Sequence, residues 1–306
     1  MNRQPLADEL PYRFVRPRLD PSCLWAARWI IGRSMRRDHK IEGVTFEGEG
    51  ALRDRLGRGD GVLICPNHTD HADSHLLFAL GRRVGLPFYY MIAYQILRGP
   101  RRWFLPRVGA FPVDREGADL AAFKKGGDLL ARGKNPLVVF PEGEIHHLGD
   151  RVTPLREGAL ALATTAAKRA AARGATTWLV PVAIKYRYVD PDAAVPALHD
   201  ALDALEGRSR WRPDRERPLV ARFYRYAEAM MALKEVEYFG AARPGPLPGR
   251  LDGLREHLLG RIEARRSPGA RRAGAANADV PDRVKEIRRA CLDVLARPEA
   301  TDADRR

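Results

Sequence analysis

Short apolar runs alternate with stretches of helical periodicity between Gly43 and about Tyr226. A short apolar run bounded by turn signals predicts a buried strand, and apolar residues repeating every three or four positions predict an amphipathic helix. The predicted strands are Gly61–Cys65, Phe88–Ile92, Leu137–Phe140, Trp178–Tyr186 and Leu219–Tyr226. The predicted helices of this region are Ser74–Arg83, Gly117–Arg132 and Glu157–Arg173. The alternation predicts an α/β fold in which a central mixed sheet is flanked by helices.

Helical patterns also precede and follow this region. Trp25–Arg37 carries tryptophans among arginines, which is typical of a helix at a membrane interface, although its apolar stripe would equally cap a core. Prolines at 244, 246 and 248 mark a boundary. Beyond it lie the predicted helices Leu251–Arg265 and Asp282–Leu295, with a flexible linker, Ser267–Asn277, between them. The predicted organisation is an amphipathic helical N-terminal element (1–42), a central domain (43–235) and a helical C-terminal tail (236–306).

The charge balance indicates an anionic partner. The 306 residues include 53 Lys and Arg against 39 Asp and Glu, which gives a net charge of +14. Nucleic acid, an anionic membrane surface or a phosphorylated substrate would each suit this excess, and so would a simple role in solubility.

Cysteine usage and hydropathy bear on the compartment. Cys23, Cys65 and Cys291 are widely spaced and odd in number, which predicts neither a disulfide framework nor a metal-binding pair and fits a reducing environment. The polar N-terminus is not typical of a signal peptide, and no window reaches about 18 uninterrupted apolar residues. We therefore expect a cytoplasmic protein that meets a membrane peripherally, at its inner face.

Two segments that follow predicted strands carry the candidate chemistry. His68 and Asp73 lie five positions apart after the run Gly61–Cys65, and Glu142-Gly143 closes the run Leu137–Phe140. Histidine is the usual general base near neutral pH, and a carboxylate that holds one ring nitrogen leaves the other free to accept a proton. Open α/β sheets bind ligands at such strand ends. Alternatively, Asp73 is only a helix-capping acid and His68 a loop residue.

Four sequence blocks follow one another along the central domain. They are Asn67-His68 through Asp73, Gly109–Arg115, Phe140–Gly143 and Val180–Ala183. In this order they resemble the blocks of the glycerolipid acyltransferase family, typified by lysophosphatidic acid acyltransferase, over about Gly43 to Tyr226. The resemblance implies transfer of a fatty acyl group from acyl-CoA or acyl carrier protein to a hydroxyl of a lysophospholipid or related glycerolipid.

The resemblance also implies roles for the matching residues. His68 would take the proton of the acceptor hydroxyl and Asp73 would orient His68, so that no covalent acyl-enzyme is needed. The implied substrate-binding residues are Asn67, Phe111, Arg115, Glu142, Gly143, Arg151 and Arg156. We expect no metal and no cofactor besides the acyl donor. The expected partners are the acyl thioester, the lysolipid acceptor and an anionic membrane surface, but no nucleic acid.

The third block departs from the family pattern after its glycine. Where Thr, Arg and Ser are usual, this chain continues Glu144-Ile145-His146-His147. The acid at Glu144 is a poor neighbour for an acceptor phosphate. Either Arg151 or Arg156 replaces the missing arginine, or the acceptor is not a simple lysophosphatidate.

The segment Phe88–Phe111 mixes aromatic residues with arginines. This composition suits a membrane interface, stacking on single-stranded nucleic acid, or a packed core element with its arginines in water. The acyltransferase-like blocks on either side favour the membrane.

Two other functions fit parts of the sequence. His68, Asp70 and His71 equal the second half of the metallo-β-lactamase motif, which predicts a metal-dependent hydrolase, although Pro66 replaces that motif's first histidine. The charge and the arginine-rich tail would also suit a non-enzymatic binder of anionic surfaces, although no zinc finger, RRM or helix-turn-helix pattern is present.

Overall fold

The structure is a computed structural model that describes residues 12–115, 119–266 and 280–295. The chain divides into two units after Tyr186. The helices of the first unit are α1 (Pro21–Arg37), α2 (Glu49–Gly57), α3 (Asp73–Val84), α4 (Pro100–Phe104), α5 (Leu120–Arg132) and α6 (Gly158–Ala171). Its strands are β1 (Gly61–Pro66), β2 (Tyr89–Ala93), β3 (Ala110–Val113), β4 (Leu137–Val138) and β5 (Thr177–Val182). Two short 3-10 helices, Tyr94–Ile96 and Leu105–Arg107, lie on either side of α4.

These strands form one parallel sheet in the order β3-β2-β4-β1-β5. Every residue of β1 is buried, because β4 and β5 pair with its two edges and helices cover both of its faces. Successive side chains of a strand point to opposite faces. Val62 and Ile64 accordingly pack with α2 and α3, whereas Leu63 and Cys65 pack with α5 and α6. Burial on both faces explains why β1 is a continuous apolar run rather than an alternating one.

Helix α1 buries small residues and exposes large ones. Asp20 caps it by accepting the backbone N–H groups of Ser22 and Cys23, each at 3.1 Å. The buried stripe consists of Cys23 and Ala27, in a small core cluster with Val108. On the exposed side, Trp25 is 63% and Trp29 68% accessible to solvent. The prediction of a helix here is confirmed, and its tryptophans are not part of the core.

The second unit is helical in its described residues. Its helices are α7 (Pro191–Arg208), α8 (Leu219–Phe239), α9 (Leu247–Arg266) and α10 (Val280–Leu295). The fully buried guanidinium of Arg222 joins α8 to α7 through Asp203 and Glu206, both at 2.6 Å. Glu235, also fully buried, joins α8 to α9 by accepting two hydrogen bonds from Arg250.

The predicted α/β class with flanking helices is confirmed, and the sheet is parallel where a mixed one was expected. The predicted strand Leu219–Tyr226 is wrong, because these residues begin the 21-residue helix α8. The sequence analysis did not predict β3, α2 or α7.

Two predictions touch residues that the structure does not describe. The linker Ser267–Asn277 lies outside the described ranges, and so do residues 116–118 at the start of the predicted helix Gly117–Arg132. The division into residues 1–42, 43–235 and 236–306 stays a prediction.

Candidate active site

The candidate site lies where β1 and β4 end. Parallel strands present their carboxyl ends at one edge of the sheet, so the loops that follow β1 and β4 meet there. The backbone N–H of His68, just after β1, donates to Glu142 Oε1 at 2.8 Å. In return, the backbone N–H of His146 donates to the carbonyl oxygen of His68 at 3.3 Å. These two hydrogen bonds join the loop that contains His68 to the loop that contains Glu142 and His146.

His68 and Asp73 are hydrogen-bonded, with His68 in the turn before α3 and Asp73 in its first turn. His68 Nδ1 lies 2.9 Å from Asp73 Oδ2. Asp73 opens α3 and is fully buried, and the same oxygen accepts the backbone N–H groups of Thr69 at 2.7 Å and Asp70 at 2.9 Å. These two bonds fold the loop back over the carboxylate, which brings His68 within reach of it. The geometric expectation is met, while the catalytic role of the pair stays a prediction.

The Asp73 carboxylate is held in its charged form. Burial opposes its ionisation, but hydrogen bonds from His68 and Tyr186 outweigh burial and keep the pKa of Asp73 below its ordinary value. Tyr186 Oη donates to Asp73 Oδ1 at 2.6 Å. A buried anion therefore stands against one nitrogen of the imidazole.

The other nitrogen of His68 is available for chemistry. With Nδ1 donating to the carboxylate, Nε2 carries the lone pair of the neutral ring. Nε2 has no hydrogen-bond partner within the described residues, and the side chain is 17% accessible. The ring stacks on Phe140, with centroids 3.9 Å apart and planes inclined by 22°. The Asp73 carboxylate on one side and the face of the Phe140 ring on another therefore hold the His68 ring in one orientation.

Glu142, a predicted substrate-binding residue, holds the loops after β1 and β4 together, and its contact with substrate stays a prediction. Its Oε1 accepts the His68 N–H, and its Oε2 accepts both the backbone N–H and the hydroxyl of Thr153. Burial opposes ionisation here too, but the bonds from Thr153 and His68 keep the pKa of Glu142 below its ordinary value. The residue is only 5% exposed. Its carboxylate is thus engaged on both oxygens by protein donors.

Gly143 stands between two arginines. Its carbonyl oxygen accepts a hydrogen bond from Arg115. Its φ of +79° favours glycine, and a Cβ there would collide with the side chain of Arg156, whose Cδ would lie 2.9 Å away. The Arg156 backbone N–H donates to Pro141 at 2.8 Å, and no described carboxylate pairs with its guanidinium. Arg151 is exposed and makes no such contact, so Arg156 is the arginine that lies at the turn.

Two further predicted binding residues have structural contacts. The side-chain amide of Asn67 donates to the carbonyl of Ile184 at 3.0 Å and accepts its N–H at 2.6 Å. The Asn67 side chain thus links the segment after β1 to the segment after β5, just beyond the last backbone pair of the two strands. Phe111 has no exposed surface and packs edge-on against Phe14. Because β3 directs the Phe111 ring into the core, the ring has a packing role, and its contact with substrate stays a prediction.

The histidines near Asp70 do not assemble the ligand set of the hydrolase alternative. Asp70 Oδ1 lies 3.3 Å from His39 Nδ1, and Oδ2 lies 3.8 Å from His147 Nδ1. The ring of His71 lies against that of His147, with centroids 6.0 Å apart. Across the described ranges, no group of three or more His, Cys, Asp or Glu could hold a metal ion. The expected absence of a metal remains a prediction.

The sequence analysis did not identify two residues that hydrogen-bond to the carboxylates of the site. Tyr186 binds Asp73, and Thr153 binds Glu142. Tyr186 ends the predicted strand Trp178–Tyr186, and β5 pairs with β1. Tyr186 follows the carboxyl end of β5, so it lies at the same edge of the sheet as His68, which follows β1. The position of Tyr186 at the end of a predicted strand was visible in the sequence. Thr153 lies in a loop of no regular pattern, so nothing local marked it.

Comparison with known families decides the assignment. The family model described as Acyltransferase matches residues 43–185. This segment belongs to the glycerolipid acyltransferase family. The matched segment contains His68, Asp73 and the Glu142-Gly143 turn. Neither a curated protein nor a solved structure matches the chain. Among the helices that the structure describes, none is both long and apolar enough to cross a membrane.

Proposed function

We propose that this acyltransferase moves a fatty acyl group from an acyl thioester, acyl-CoA or acyl carrier protein, to a hydroxyl of a lysophospholipid or related glycerolipid. The observation that carries the proposal is the His68–Asp73 pair, 2.9 Å apart, inside the family-matched segment. Its closest named activity is that of a 1-acylglycerol-3-phosphate acyltransferase.

The proposed reaction needs only His68 as a base. Nε2 takes the proton of the acceptor hydroxyl while the acceptor oxygen attacks the thioester carbonyl carbon. The C–O bond forms, the tetrahedral intermediate collapses and the C–S bond breaks. The departing thiolate recovers the proton from His68, so the products are an ester and a free thiol. Asp73 stabilises the imidazolium between the two transfers.

Arg156 is the proposed ligand of the acceptor's anionic group. Its guanidinium lies against Gly143, beside the Arg115 contact, and suits a phosphate by its planar fork. We expect Arg156→Ala to raise KM for lysophosphatidic acid about tenfold or more, the effect of one lost charge-assisted bond. Arg151→Ala is the matched control and should leave KM unchanged. An unchanged KM in Arg156→Ala would mean that the acceptor has no phosphate at this turn, and an equal rise in both variants would overturn the choice of Arg156 over Arg151.

The direct test of the function is thiol release. Palmitoyl-CoA and palmitoyl acyl carrier protein are each incubated with a panel of lysophospholipids, and free thiol and ester product are both measured. His68→Ala should lower turnover by about two to four orders of magnitude. His71→Ala should retain it, because His71 is exposed and outside the dyad. Loss in His71→Ala, restored by zinc, would instead support the metal-dependent hydrolase.

We also propose that the enzyme works peripherally on anionic membranes, at the inner face of the cell membrane, through α1 and Trp103. Trp25, Trp29 and Ile30 are more than half exposed, and the arginines of α1 have no described acidic partner. Trp103 is 58% exposed with the Arg107 guanidinium over its ring. Exposed indole beside arginine suits the headgroup region. The rest of the aromatic segment Phe88–Phe111 contributes less, since most of its rings are wholly or partly buried.

Liposome flotation tests this surface. Vesicles with and without phosphatidylglycerol are compared at low and high salt for the full chain and for Trp25→Ala/Trp29→Ala. We expect flotation on anionic vesicles that weakens with salt, and a clear loss in the double variant. Tyr188→Ala removes an equally exposed ring elsewhere and serves as the control. Equal flotation of the double variant and the control would remove α1 from the proposal.

A further inference from the structure

Tyr186 makes a contact at the site that the family blocks do not include. It lies four residues beyond the end of β5 and two beyond Ile184, which Asn67 holds through both of its backbone groups. Its phenol donates to Asp73 Oδ1 at 2.6 Å across 113 residues of sequence. The clamp on Ile184 thus fixes the chain just before the tyrosine.

The two oxygens of Asp73 have different partners. Oδ2 accepts His68 and the N–H groups of Thr69 and Asp70, whereas the phenol of Tyr186 is the donor that the structure shows on Oδ1. Because Asp73 has no exposed surface, water does not readily replace a missing donor. Burial and the adjacent carboxylate raise the pKa of the Tyr186 phenol, so it remains a donor at any working pH.

We propose that Tyr186 is a positioning residue that acts on His68 through Asp73. The proposal rests on the proposed role of His68 as general base. The phenol fixes the tilt of the carboxylate by holding the oxygen that His68 does not touch. It also draws electron density from the carboxylate, which moderates the pull of Asp73 on the imidazole proton. Without the phenol, Asp73 holds that proton more strongly and in a less defined direction.

The exposure of Tyr186 shows that burial does not force its bond to Asp73. Tyr186 is 39% exposed and could turn its hydroxyl to water, yet it donates to the buried carboxylate.

The test that needs no substrate follows the protonation of His68 by NMR. The full chain is labelled at its histidine rings, and His68 is assigned by its loss in His68→Ala. In Tyr186→Phe we expect the midpoint of the His68 titration to move to higher pH, by up to about one unit. The matched control is Tyr188→Phe, since Tyr188 is 69% exposed and makes no described contact. An unchanged midpoint in a folded Tyr186→Phe protein would overturn the proposal.

The kinetic test separates this inference from the proposed function. With palmitoyl-CoA and an accepted lysolipid, Tyr186→Phe should lower kcat about tenfold, leave KM unchanged and move the acid limb of the pH–rate profile upward. If His68→Ala remains active, the base assignment fails and the positioning role fails with it. If His68→Ala is inactive but Tyr186→Phe matches the wild type in kcat and in its acid limb, only the positioning role is overturned.

Discussion

Asp73 and Glu235 are both fully buried carboxylates, one in each unit of the chain. Asp73 accepts two backbone N–H groups, a phenol and an imidazole. Glu235 accepts two hydrogen bonds from the Arg250 guanidinium, at 3.0 and 2.7 Å, and the backbone N–H of Arg243. Both have a pKa below the ordinary value, Glu235 chiefly because of Arg250 and Asp73 because its hydrogen bonds outweigh burial.

The difference lies in what each carboxylate can still do. A guanidinium cancels the charge of its partner, so Glu235 and Arg250 form a neutral joint between two helices. Peptide N–H groups and a phenol are dipoles, which stabilise an anion without neutralising it. The negative charge of Asp73 therefore remains to act on His68. This difference predicts a catalytic role for Asp73 and a structural role for Glu235.

The largest expected effect follows from removing the charge of Asp73. Asp73→Asn keeps the size of the side chain but abolishes the anion, so turnover in the thiol-release assay should fall by about two to four orders of magnitude. Glu235→Gln is the counterpart in the other unit and should leave kcat within about threefold. Comparable losses of kcat in both variants would contradict the assignment of a catalytic role to Asp73 and a structural role to Glu235.

The second prediction concerns stability rather than activity. Arg222→Met leaves the buried Glu206 without its strongest partner, so the melting temperature should fall by about 5 °C while kcat is unchanged. Lys234→Met breaks an exposed pair with Glu237 and should shift the melting temperature by less than about 1 °C. If the exposed pair proves as important as the buried one, burial is not what gives Arg222 its role.

The smallest effect is a pH dependence of stability. Because the pKa of Asp73 is lowered below 3.8 on folding, its contribution to stability is present above that value and is lost as pH falls through the folded-state pKa. The difference in unfolding free energy between wild type and Asp73→Asn should therefore be constant above about pH 5 and shrink below about pH 4. Urea titrations at several pH values measure it. A difference that grows as pH falls would contradict the sign of the shift.

The pairing of His68 with Asp73 was predicted from the resemblance to the glycerolipid acyltransferase family, because their spacing alone fitted a capping acid and a loop histidine equally. Tyr186 escaped prediction because it reaches Asp73 from the far end of β5. The strand β3 was missed because it has only four residues, one of them Pro112. The general location of the candidate site followed from the rule that ligands bind at strand ends, and the contacts of Tyr186 and Thr153 did not.

The wrong strand has a physical explanation in the buried charges of α8. Val220, Phe223 and Tyr224 made an apolar run that suggested a strand, but all three are exposed in the helix. The positions that α8 buries include Arg222 and Glu235, which hydropathy counts as surface residues. When a helix packs through ion pairs, its apolar residues no longer mark its inner face. Pattern analysis then fails even though the helix is long.

The position of Tyr186 has a practical consequence for anyone who shortens this protein. The family match ends at residue 185, one residue before the phenol. A minimal domain cut at that limit would retain His68, Asp73, the Asn67 clamp and all four family-like blocks, yet it would leave Asp73 Oδ1 without its donor. On the proposed role of Tyr186, the boundary of the family match is not the boundary of the catalytic unit, and a truncation should extend beyond Tyr186.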